Sequence, residues 1–175
     1  PGVHHLTFKV PDLRAAARRA EAHGFEVVGM VEAFPGWKEA FLHPRQAQGI
    51  VVQLAESSPM AMQPPGGVRE WPFPEEPPLA ARPVGIAGVR LAAGSAERAI
   101  HQWGDLLGGR TEKRDGEIVF TWAGSPLRVN VEVTGDAPEG ALAIELLPGA
   151  HPPLPEGSHP ALGVRFQVQG DPAGR

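Results

Sequence analysis

One order of elements is written twice in this chain, on either side of a stretch too rich in proline to be a helix or an inner strand. The stretch is "SSPMAMQPPGGVREWPFPEEPPLAARP", residues 57–83. Repeated proline removes backbone donors and fixes φ. It reads as a partly extended linker pinned by Trp71 and Phe73, and a linker of this length joins units that must span a distance. The 20 prolines and 22 glycines of the chain are clustered, so they punctuate a folded protein. A hydrophobic fraction of 42% over 175 residues is that of a globular chain with one sizeable core, as one domain or two small modules.

The first unit opens on "VHHLTFKV", which alternates: Leu6, Phe8 and Val10 share one face, His5, Thr7 and Lys9 the other. Asp12 is placed to cap a helix over "LRAAARRAEAH", with Leu13, Ala16, Ala17 and Ala20 on one side and arginines on the other. Gly24 stands where a helix-terminating glycine belongs. "FEVVGMVEA", "WKEAFLH" and "IVVQLAE" follow as strands, separated by "FPG" and "PRQAQG". The order is βαβββ.

The second unit repeats it. "GIAGVRLAA" is a strand and Ser95 a helix cap. "AERAIHQWGDLL" carries Ala99, Ile100, Trp103, Leu106 and Leu107 at helical spacing, and "RTEKR", "EIVFTWA" and "LRVNVEV" are strands. Two copies of one order make an internal repeat. The expected organisation is a first module at 1–57, a linker at 58–83, a second module at 84–147 and a C-terminal loop and strand at 148–175. In that last part "GALAIELLP" and "ALGVRFQVQGDP" read as strands that either complete the second sheet or begin a third unit.

Composition excludes several classes. A net charge of −4 gives no broad basic field, so no nucleic-acid partner is expected. No apolar run is long enough for a membrane span, and there is no basic, apolar leader, so the expectation is a cytoplasmic protein with no membrane partner. Cysteine is absent, so any metal must be held by nitrogen and oxygen.

Paired βαβββ units with an "HH" strand and a closing "GIVVQL" strand resemble the vicinal oxygen chelate superfamily, the glyoxalase, bleomycin-resistance and extradiol-dioxygenase group. Residues 2–56 are most similar to the second half of methylmalonyl-CoA epimerases, through "GVHHLTFKVPDL", "KEAFLHP" and "GIVVQLAE". The resemblance implies an α+β fold in which tandem βαβββ modules form a half-open barrel around a divalent metal. Ligands would come from the first and last strands of each unit. Carried over, His5 takes the first-strand metal position and Gln53 the last-strand position, which is glutamate in the epimerases. The second unit departs: Gly88 stands where the matching histidine would be, and its last strand offers Arg128, Asn130 and Glu132. The unit resembling the family's second half also comes first, which implies either a longer product or pairing of units between chains.

Parity adds an independent reason to look at His5. It shares a face with Thr7 and Lys9, a polar surface that a packed core would not hold, whereas His4 shares the face of Leu6 and Phe8. The candidate metal site is therefore His5 and Gln53, and the candidate substrate pocket Thr7, Lys9, Arg128 and Asn130. The implied cofactor is a divalent ion, Zn, Co, Mn, Ni or Fe, which would stabilise an enolate-like anion on a small substrate chelating through adjacent oxygens. Gln53 is a neutral donor and no base, so proton transfer needs a carboxylate from elsewhere. Glu39 is one candidate, although its alternation with Phe41 and His43 reads more simply as a solvent-facing strand glutamate. His43, His101, His151 and His159 read as strand-end, helix-surface and loop histidines, and Trp37, Trp103 and Trp122 as core or interface anchors.

The expected function is a metal-dependent isomerase, epimerase or lyase of this superfamily. An extradiol-type dioxygenase and a metal-free protein that sequesters a small molecule are the alternatives. A homodimer is expected, because the strands of an incomplete barrel need covering.

Overall fold

Alternation in the first strand is kept in three dimensions. The computed structural model describes residues 3–34, 36–58, 84–114, 116–148, 157–161 and 163–169. The linker at 59–83 with Trp71 and Phe73, and His151, lie outside the described residues.

The chain divides into two compact units. The first holds β1 (His5–Lys9), α1 (Leu13–Ala22), β2 (Val27–Phe34), β3 (Trp37–Leu42) and β4 (Val51–Ser57), the βαβββ order expected from sequence. Its sheet runs β1-β4-β3-β2, with β1 parallel to β4 and the other pairs antiparallel. Register sorts the side chains. His5, Thr7 and Lys9 lie opposite Val51, Gln53 and Ala55, and Phe41 and Glu39 lie opposite Gln53 and Ala55 on the other flank of β4. All of these share one face.

The other face carries Ala40, Leu42, Val52 and Leu54, which are buried together with Leu13, Ala17 and Ala20 of α1. Small alanines let the helix lie close, and each fully buried leucine contributes about 2 kcal/mol. The docking is also polar. Asp12 caps α1 by accepting from Ala15 N at 2.8 Å, Glu56 on β4 accepts from Leu13 N at 2.8 Å, and Lys38 Nζ reaches Glu56 at 2.6 Å. Past the helix, Gly24 adopts φ +83°, which an L side chain resists.

The second unit contains β5 (Ile86–Ala93), α2 (Ala96–Ala99), β6 (Arg110–Arg114), β7 (Glu117–Thr121), β8 (Arg128–Val133), β9 (Gly140–Leu146), β10 (Gly157–Ser158) and β11 (Arg165–Val168). Sequence spacing predicts one α-helix over 96–107. Instead α2 is a single turn that passes into a seven-residue π-helix, Ile100–Leu106, closed by Leu107 N donating to Gln102 O at 3.1 Å. The same face still points inward, with Ala99, Trp103 and Leu106 buried. The sheet order is β10-β11-β9-β5-β8-β7-β6. Thus β9 and β11 extend the second sheet beyond β5. β6 is exposed along its whole length at the opposite edge. Its charged side chains suit an edge that must not recruit another strand.

Candidate functional site

The polar face of the first unit holds a connected hydrogen-bond chain across three strands. Thr7 Oγ1 on β1 donates to Gln53 Oε1 on β4 at 2.6 Å. Gln53 Nε2 donates to Glu39 Oε2 on β3 at 2.7 Å. Trp37 Nε1, two residues before Glu39, donates to the same oxygen at 2.9 Å. Gln53 is only 7% exposed, and both ends of its amide are used, which fixes its orientation. Glu39 Oε1 accepts no hydrogen bond among the described residues, so it is available to a ligand. Phe34 lies opposite Trp37 across β2 and β3. Both rings stay open to solvent, at 63% and 39% exposure, and Trp37 meets the carboxylate through its Nε1.

The structure places the predicted residues as follows. His5, Thr7, Lys9 and Gln53 share the face just described, with His5 one alternation before Thr7. Arg128 and Asn130 belong to the second unit. Glu39, which reads from sequence as a solvent-facing glutamate, is half-buried and tied to Gln53. No local signal assigns its side, because "WKEAFLH" mixes polar and apolar residues at both parities; the register of β3 on β4 does. Trp103 is a core residue at 0% exposure, whereas Trp37 serves the polar face.

The corresponding face of the second unit is built differently. If Gly88 is matched to His5, register aligns Arg90 with Thr7, Asn130 with Gln53 and Glu117 with Glu39. The guanidinium of Arg90 gathers the carboxylates around it. It pairs with Glu117, with Glu132 at 2.8 Å and with Glu145 at 2.9 Å. Glu145, 1% exposed, also accepts from Asn130 Nδ2 at 2.6 Å and Gln169 Nε2 at 3.0 Å, and Arg128 Nε stands 3.4 Å away. Burial works against the charged form of Arg90. The hydrogen bonds to Glu117 and Glu132 outweigh it, and the pKa stands above the ordinary arginine value. Sequence reasoning put Arg128, Asn130 and Glu132 on one strand but missed their partners Arg90, Glu117 and Glu145, which lie on other strands that only sheet order brings alongside.

The metal implied by the resemblance can be tested against these side chains. The first unit offers an imidazole, an amide oxygen and a carboxylate on one face. The second unit has the amide and carboxylate counterparts, Asn130 and Glu117, but Gly88 in place of the imidazole. A Cβ at Gly88 would sit 2.1 Å from the backbone oxygen of Arg128, so no histidine fits there without moving a strand. The neighbouring carboxylates already serve a resident cation. Among the described residues no group of three or more His, Cys, Asp or Glu is arranged to hold a metal. The second unit, among the described residues, does not supply the ligands that the resemblance implies for it.

No protein-family model matches the sequence, and no curated protein matches it. Solved structures do match. A hypothetical protein from Staphylococcus aureus is 11% identical, with a TM-score of 0.56 over 94% of this chain and 66% of that one. A catechol 2,3-dioxygenase is 11% identical, with a TM-score of 0.57 over 85% of this chain and 52% of that one. A methylmalonyl-CoA epimerase from Mycobacterium tuberculosis is 29% identical, but covers 33% of this chain at a TM-score of 0.30, too little to bear on the fold. The chain thus spans about half to two-thirds of the length of the two larger matches. Its α+β architecture is the fold of these two larger matches. No helix among the described residues is long and apolar enough to cross a membrane.

Proposed function

We propose that the first unit's polar face binds a small molecule and that Glu39 exchanges a proton with it. Thr7 and Gln53 hold the carboxylate in place, and Phe34 and Trp37 shield one side of the ligand. The observation that carries this reading is the Thr7–Gln53–Glu39–Trp37 chain, which fixes one carboxylate oxygen and leaves the other to the ligand. A positioned carboxylate within reach of an acidic C–H is the minimum apparatus of an isomerase or epimerase step. The metal-free form of that reading follows from Gly88 and Arg90, and no step is assigned to a metal.

A second reading is a metal-dependent isomerase, lyase or dioxygenase. The presence of His5 and Gln53 on one face favours it. Elemental analysis of the purified chain separates the two, with His5→Ala as the comparison. Stoichiometric metal that disappears in the variant supports the metal-dependent reading. The proton-transfer reading is tested by screening small hydroxy- and oxo-acids in deuterated water. Exchange of a carbon-bound proton that is lost in Glu39→Gln, with binding retained, supports it. Exchange that persists in the variant removes Glu39 from the mechanism.

A further inference from the structure

At one end of the same sheet, β1, β3 and β4 finish around an open cleft of about 680 Å³ lined by Lys9, Gly36, Lys38, Glu56, Ser57 and Ser58 among others. Its charges are unequal. Lys38 is matched by Glu56 at 2.6 Å, whereas Lys9 makes no ion pair among the described residues. That leaves one positive charge in excess, in a chain whose net charge is −4. The Ser57 and Ser58 side chains, which line the same cleft, have no hydrogen-bond partner among the described residues.

The cleft also adjoins the proposed ligand face. Lys9 lies opposite Ala55 from β1, and Glu39 lies opposite Ala55 from β3. Two strand spacings, about 10 Å, therefore separate their backbones. The residue between them is an alanine, which leaves the space above the sheet open.

We propose that this cleft is an anion site: Lys9, supported by the Ser57 and Ser58 hydroxyls, takes the carboxylate or phosphate of the small molecule whose reacting carbon faces Glu39. The identity of that molecule's other end rests on the proposed function, but the anion site does not. It selects ligands that carry a negative group away from the position deprotonated, and it rejects neutral analogues by leaving Lys9 and the hydroxyls unanswered. A lysine suits either anion, because it acts as a point charge rather than a planar fork.

The test is calorimetric titration of the full chain with inorganic phosphate and, separately, with malonate at low ionic strength. Saturable binding of at least one anion is expected, weakened about tenfold in Lys9→Met. It should recover to within about threefold of wild type in Lys9→Arg and be unchanged in Lys113→Met, on the second unit. Phosphate binding alone assigns a phosphoester ligand, and malonate binding alone a carboxylic acid. An unchanged melting temperature of Lys9→Met shows that the loss is not unfolding. Absence of saturable binding of both anions up to about 50 mM, far weaker than a useful subsite, overturns the proposal, as does equally tight binding in Lys9→Met. Glu39→Gln leaves anion binding intact, so failure of the proton-transfer reading would appear separately.

Discussion

The two units share an order of elements and a strand register, yet their polar faces do opposite things. In the first, a threonine, a glutamine and a glutamate form an open chain with a spare carboxylate oxygen. In the second, the aligned arginine, asparagine and glutamate turn inward on each other and on Glu145. The lesson is that one scaffold supports both a receptive surface and a self-satisfied one. The choice rests on a few side chains at fixed register positions. A buried cation ringed by carboxylates answers its own electrostatic demand, whereas neutral amides and hydroxyls leave capacity for a ligand.

The sharpest way to break this contrast is Arg90→Met. It removes the closer of the two cations beside buried Glu145, leaving Arg128 at 3.4 Å, and should cost about 3 kcal/mol in urea unfolding. That is the low end for a broken buried pair, because Glu117 and Glu132 are 33% and 39% exposed and water can reach them. The double variant Arg90→Met/Glu145→Leu should regain part of the loss; equal instability of both would mean that Arg90 acts through packing alone. Gly88→His, intended to restore a ligand, should instead lower stability by about 2 kcal/mol, as overpacking does. It should not raise the bound metal content measured by elemental analysis. Thr7→Val should cost about 1 kcal/mol, while weakening any ligand of the first face, which chemical-shift titration would read.

The smallest effect is a slope with pH. Hydrogen bonds from Ala15 N hold Asp12 below its ordinary pKa. Lys38, then Leu13 N, do the same for Glu56, and Arg14 does so for Glu32. Their stabilisation of α1 is present above the unfolded carboxylate range. It is lost as pH falls through the lowered folded values. Glu56→Gln should flatten the acid limb of the melting temperature. An unchanged limb would show that these contacts do not anchor the helix.

Much of the first unit is legible in the sequence because its periods are clean. Leu6, Phe8 and Val10 alternate with polar partners, and Asp12 and Gly24 bracket the helix they terminate. The π-helical passage is not legible, since Ile100, Trp103 and Leu106 keep a spacing that an α-helix would also satisfy. Glu39 and Arg90 fail for a different reason. Each acquires its role from residues on other strands, and nothing local says which strand will lie alongside. Glu145 illustrates this most clearly: it reaches Arg90 because β9 pairs with the flank of β5 opposite β8.

The close approach of Arg128's carbonyl to Gly88 has a consequence for the routes open to this protein under mutation. Any amino-acid substitution at position 88 adds a side chain before the neighbouring strand has made room, and so lands on a less stable chain. A relative with a working ligand at that position is therefore separated from this one by coordinated changes, in which backbone spacing and the occupant of position 90 must shift together.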